Sequence, residues 1–128
     1  MRRHDREVTD KALIESVLNE CEVIRLGFAD GGEPYVVPVN FGWEEVDGTV
    51  VFYCHGAGEG KKIDLIKKLG KVWFEMDTDH LRYGNEGDAC SYAYRYKCVM
   101  GMARAEIMSS EADKIHGLDV LMEKFTPG

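Results

Sequence analysis

Apolar residues fall first at helical spacing and then at alternate positions. Leu13, Ile14, Val17, Leu18 and Cys21 lie three or four apart, which predicts a first helix capped by Thr9 or Asp10. Glu22 to Ala29 is rich in Val, Ile, Leu and Phe and predicts a strand, closed by the turn Asp30-Gly31-Gly32-Glu33-Pro34. Tyr35, Val37, Val39, Phe41 and Trp43 then share one face of a second strand. Val36, Pro38, Asn40 and Gly42 share the other. A proline in mid-strand predicts an edge or a bulge, and Gly42 leaves room for a close neighbour.

Val46-Asp47-Gly48 predicts a hairpin turn, with Thr49 to Cys54 returning as a strand. A second helix is expected from about Glu59 to Leu69, burying Ile63, Leu65, Ile66 and Leu69 and stopping at Gly70. Lys71 to Asp77 predicts another strand, and His80 to Asp88 a polar surface loop. Cys90 to Ile107 holds one long bent strand or two. Ser109-Ser110 caps a last helix whose apolar face is Ile115, Leu118, Leu121, Met122 and Phe125. Hairpins dominate, with helices at the ends and one crossover. The fold class is therefore mostly β, an α+β or closed-barrel arrangement and not an alternating parallel sheet.

At 128 residues the chain is expected to form a single domain, 1–128. Its 45% hydrophobic and 30% charged residues are those of an ordinary globule. A net charge of −7 argues against general nucleic-acid binding. The four cysteines form no C-x-x-C pair, and no histidine or cysteine cluster has metal-ligand spacing, so no metal is expected. No apolar run follows the N-terminal Met1-Arg2-Arg3 and none reaches membrane-spanning length. A cytoplasmic setting without membrane attachment is the expectation. The cysteines read as small buried apolar residues.

The chemistry gathers where the third strand runs into Cys54-His55-Gly56-Ala57-Gly58-Glu59-Gly60-Lys61-Lys62. Three glycines leave the backbone N–H groups unshielded, and a helix N-terminus already favours an anion. Lysines there oppose the helix dipole, and a bound phosphate would explain them. A P-loop is excluded, because His55 stands where its first glycine belongs and Lys62 where its hydroxyl belongs. The dinucleotide fingerprint fails at Lys61, where its third glycine belongs. The plainer alternative is a glycine loop beside a solvated lysine face. Trp43, Trp73, Phe74, Tyr92, Tyr94 and Tyr96 read as core or interface aromatics, the last three on one strand face.

Five motifs stand in order: Pro34 to Phe41, Phe52 to Ala57, Gly60-Lys61-Lys62, Val72 to Asp77 and Tyr96 to Val99. Together they resemble the Nim-type (nitroimidazole-resistance) branch of the pyridoxamine 5′-phosphate oxidase-like flavoproteins, over roughly Arg3 to Gly128. The resemblance implies an FMN-binding split β-barrel, a homodimer with shared flavin sites. It implies an oxidoreductase that takes electrons from a reduced nicotinamide, NADH or NADPH, and passes them to a small-molecule substrate. By resemblance, Pro38, Val39, Asn40 and Phe41 run along the flavin ring, and His55 binds it from the substrate side. Gly56, Ala57, Gly60, Lys61 and Lys62 hold its other end, with Gly60 and Lys62 at the phosphate. Tyr96, Lys97 and Cys98 also help to hold it, and His55 is the candidate catalytic residue. Lys97 and Cys98 depart from the usual arginine and serine, and lysine loses bidentate phosphate geometry. Relatives usually continue past Thr126-Pro127-Gly128 with another strand, so the resemblance implies a shortened member or an incomplete chain. A non-catalytic flavin or haem store and a pyridoxamine phosphate oxidase proper are the rival readings.

Overall fold

The computed structural model describes residues 11–56, 60–83 and 93–126. The element order is α1 (Lys11–Glu20), β1 (Val23–Asp30), β2 (Glu33–Val46), β3 (Thr49–Cys54), α2 (Lys61–Leu69), β4 (Lys71–Tyr83), β5 (Ala93–Arg104) and α3 (Glu111–Phe125). The strands form one sheet in the order β3-β2-β1-β4-β5. The β1–β2, β1–β4 and β2–β3 pairs are antiparallel. This is the mostly β, α+β arrangement expected, with α2 as the crossover. Among the described residues no helix is long and apolar enough to cross a membrane.

The chain divides into two compact units, residues 1–21 with 76–99 and residues 22–75 with 100–128. In the first, Val17, Leu18, Cys21 and Met76 are buried. In the second the buried set is Ile24, Leu26, Phe28, Phe41, Leu65 and Val72. Ile24, Leu26 and Phe28 alternate along β1, as a strand with one face inward requires.

Strand β2 changes partners midway. Residues 33–40 pair with β1 and residues 41–46 with β3. Pro38 lies in the first half, opposite Arg25, and it has no described partner on its other side. That is the edge-like position a proline needs. The hairpin turns at Gly31-Gly32 and Asp47-Gly48 have positive φ at both central residues, matching the right-handed twist of the strands they join.

Gly42 is buried although it lies on the exposed face of β2, because α3 covers it. A Cβ there would come within 2.8 Å of the Leu121 Cα. The close neighbour that Gly42 makes room for is therefore a helix backbone.

Three expectations need correction. His80 to Tyr83 continue β4 and do not begin a loop, since a polar stretch can stay extended; residues 84–92 lie outside the described residues. Cys54 is exposed, not a buried apolar residue. Of the expected apolar face of α3 only Leu121 docks: Ile115, Leu118, Met122 and Phe125 are all exposed. The helix packs through Gly117 and Leu121, where close backbone approach replaces large side chains.

Candidate functional site

Strand β3 delivers the chain to the glycine turn. Cys54 is its last residue, paired with Phe41 of β2, and His55 and Gly56 follow, both exposed. Because Cys54 shares the inner face with Phe41, protein surrounds its thiol although the residue as a whole is exposed. That desolvation pushes the thiol pKa up to about 11, against the pull of Lys62. The thiol is therefore protonated near neutrality and is a poor nucleophile.

Helix α2 begins at Lys61 with Gly60 as its N-cap, at φ 132° and ψ 176°, and no side chain caps it. Only glycine adopts that φ without strain. Gly60 itself thus brings no side-chain acceptor to the first-turn N–H groups. At the other end Gly70 takes the left-handed conformation and donates its N–H to the Ile66 carbonyl at 2.9 Å.

The two lysines diverge. A Cβ built on Gly56 would come within 2.6 Å of the Lys62 Nζ, so this ammonium lies folded against the bare backbone of the turn. Lys61 turns back to the β1–β2 hairpin, its Nζ 4.8 Å from the centre of the Tyr35 ring. It also helps, after Lys68, to hold the Asp30 carboxyl below its ordinary pKa. The residues present fit an anionic group at the turn: a glycine whose Cβ would meet the Lys62 Nζ, a helix start with glycine at its N-cap and one ammonium.

On β2, Pro38 and Asn40 are exposed, Val39 is half-buried and Phe41 is fully buried. Asn40 donates its side-chain N–H to the Glu22 carbonyl at 3.0 Å. Its place is the exposed strand position, with one of its donors already used. Ala57 lies outside the described residues, as does the side chain of Tyr96 on β5. Lys97 and Cys98 belong to the other compact unit. Lys97 is half-buried with its Nζ 3.9 Å from Glu20 Oε1, and Cys98 is half-buried and in no disulfide. The structure thus brings together His55, Gly56, Gly60 and Lys62, and sends Lys61 elsewhere.

The sequence gives no signal for a second cluster. Glu44 Oε1 accepts from the Tyr53 hydroxyl at 2.7 Å and bonds His116 Nε2 at 2.7 Å, although His116 is 72 residues away. Among the described residues no group of three or more His, Cys, Asp or Glu could hold a metal. An open groove of about 450 Å³ lies at the far end of α2 from the glycine turn, lined by Ile66, Gly70, Ala105 and Ile107 with Lys67, Glu106 and Ser109. It contains none of the cofactor-binding or catalytic candidates named from the sequence.

Comparison with known proteins matches residues 10–128 to the family model described as pyridoxamine 5′-phosphate oxidase. Among solved structures, the chain is similar to a candidate 5-nitroimidazole antibiotic resistance protein from Bacteroides thetaiotaomicron VPI-5482. The identity is 30% and the TM-score 0.79, over 94% of this chain and 69% of that one. It is similar to the flavocytochrome Anf3 from Azotobacter vinelandii at 25% identity and TM-score 0.79, covering 100% of this chain and 57% of that one. A FAD- and haem-binding protein from Mycobacterium smegmatis shares the fold at 15% identity and TM-score 0.75, over 94% and 56% of the two chains. The chain thus spans little more than half the length of these last two. No curated protein matches the sequence.

Proposed function

The chain belongs to the pyridoxamine 5′-phosphate oxidase-like family, and from that premise we propose that it is an FMN-dependent oxidoreductase. The observation that carries the reading is the Lys62 ammonium folded onto Gly56 beside a helix start whose N-cap is a glycine. Positive charge gathered there is unfavourable until an anion arrives, and the flavin phosphate is that anion. Bound FMN supplies reversible electron transfer, and the protein supplies position and electrostatics. Lys62 and the turn N–H groups hold the phosphate. The Pro38–Asn40 segment of β2, exposed at Pro38 and Asn40, borders the ring, and His55 faces the substrate. A reduced nicotinamide is the proposed donor. A small oxidised molecule is the acceptor, and a nitroaromatic is the first to try given the Bacteroides neighbour. The proposed setting is the cytoplasm.

Lys62→Ala should weaken FMN binding about tenfold, the low end for a charged hydrogen bond because the lysine is only half-buried. A flavin fluorescence titration measures it, and unchanged affinity would overturn the placement. The flavocytochrome neighbour favours one rival, a haem- or flavin-binding protein without turnover. The absorbance spectrum separates them: flavin bands bleached by NADH or NADPH support the reductase, and a Soret band supports haem.

A homodimer with shared flavin sites belongs to the same proposal. Val36, Trp73, Met100 and Met102 are exposed on β2, β4 and β5, and Gly27 pairs with both Val36 and Trp73. An apolar sheet face of this kind fits a second copy of the chain. Light scattering should show a dimer for the wild type and a monomer for the double variant Trp73→Glu, Met102→Glu. A wild-type monomer carrying one FMN per chain would overturn the shared site.

A further inference from the structure

The cluster around Glu44 lies outside the glycine turn but touches the strand that leads into it. Glu44 and Tyr53 point from β2 and β3 to the side on which α3 packs. One carboxylate oxygen, Glu44 Oε1, takes both the Tyr53 hydroxyl and His116 Nε2, each at 2.7 Å. The His116 ring meets the Tyr53 ring edge-on, with centroids 5.8 Å apart and planes at 84°. The next residue, Gly117, is buried, and a Cβ there would come within 2.9 Å of the Tyr53 ring. Helix α3 is therefore seated on Tyr53 by contact and fastened by one shared carboxylate. Tyr53 precedes His55 by two residues, so whatever fixes Tyr53 fixes the approach to the turn.

We propose that His116 latches α3 onto the β2–β3 hairpin through Glu44 and Tyr53, and that this latch, loosening as the pH rises, sets how firmly the strand end entering His55 and Gly56 is held. The groups that face the imidazole are Glu44 from β2, the Tyr53 hydroxyl from β3, and Asp113 and Asp119 from its own helix. The three carboxylates favour the imidazolium. The Glu44 bond first, and the nearby acids after it, raise the His116 pKa above its ordinary 6.5. The same bond, then that from Tyr53, lowers the Glu44 pKa below its ordinary 4.5. The imidazolium's contribution is complete below pH 6.5 and is lost as pH rises through the raised value. The carboxylate's contribution is complete above pH 4.5 and is lost as pH falls through the lowered value. The latch is tightest between these limits. Above the window a neutral imidazole still donates one hydrogen bond, so the latch weakens without vanishing.

The test uses the protein without ligand, so it does not depend on the flavin reading. Amide hydrogen exchange is measured in α3 and in Tyr53 to Gly56 at about pH 5.5 and about pH 8.5. Each rate is corrected for the intrinsic chemical rate at that pH. Wild type should open roughly two- to fivefold more often at the higher pH, the scale of an exposed ion pair. His116→Gln keeps a donor but does not titrate, and should show the same opening at both. Protection in wild type that does not change, or a change that persists in His116→Gln, would overturn the latch. A change confined to α3 would overturn its reach to the turn. NMR titration gives an independent check: the His116 midpoint should lie above 6.5 and fall toward it in Glu44→Gln. A wild-type midpoint at or below 6.5 contradicts the proposal. If FMN binds as proposed, its affinity should follow the latch in wild type. Comparison with His116→Gln cancels the titration of the flavin phosphate itself.

Discussion

Phe41→Ala is expected to cost the fold about 3–5 kcal/mol, the usual loss for a fully buried phenylalanine. Phe41 is 0% exposed. Its ring meets Phe52 edge-on at 5.8 Å, and Phe52 meets Phe74 at 5.1 Å, so three strands of one unit share a chain of rings. Lys124 of α3 closes the outside, with its Nζ 3.5 Å from the Phe41 centroid. The ammonium lies over the ring face as a cation–π contact. Phe41 also stands where β2 leaves β1 for β3, opposite Cys54. A cavity there would loosen the switch of partners as well as the core. Urea unfolding measures the effect as a fall in midpoint at constant slope. Phe41→Leu keeps most of the volume and should lose less than about 1.5 kcal/mol. If alanine costs no more than leucine, the ring is not the centre of this core.

The elements were legible in the sequence wherever periodicity and punctuation agree. The alternation from Tyr35 to Phe41, the Asp47-Gly48 turn and the Gly70 stop all appear as the sequence implies. Pro38 marked the half of β2 paired on one described side. The docked side of α3 was legible only at Leu121. A helix period reveals that an apolar face exists, but Gly117 and Gly42 decide the contact by close approach, and large side chains carry the periodic signal. The division of labour between Lys61 and Lys62 was legible only by position in the resemblance. It depends on which direction each side chain leaves the first turn of α2, one toward Tyr35 and one toward Gly56. The tie between Glu44 and His116 was invisible, since a contact across 72 residues leaves no local pattern.

His55→Ala is expected to separate substrate chemistry from cofactor retention. His55 is exposed and immediately precedes Gly56, the residue against which the Lys62 ammonium lies. The proposed phosphate contact belongs to Lys62 and the turn, so removing the imidazole should leave FMN affinity within a few-fold of wild type. An imidazole beside the ring system can instead donate to an oxygen of the acceptor. Losing one well-placed donor at a reacting oxygen costs on the order of 100-fold in rate. The comparison is steady-state reduction of a nitroaromatic by wild type and His55→Ala, both saturated with FMN. His55→Gln keeps a donor and should recover part of the rate. If the alanine variant loses FMN instead, the histidine belongs to the cofactor cradle. If it turns over at the wild-type rate, the turn is a phosphate site alone and the acceptor is held by other residues.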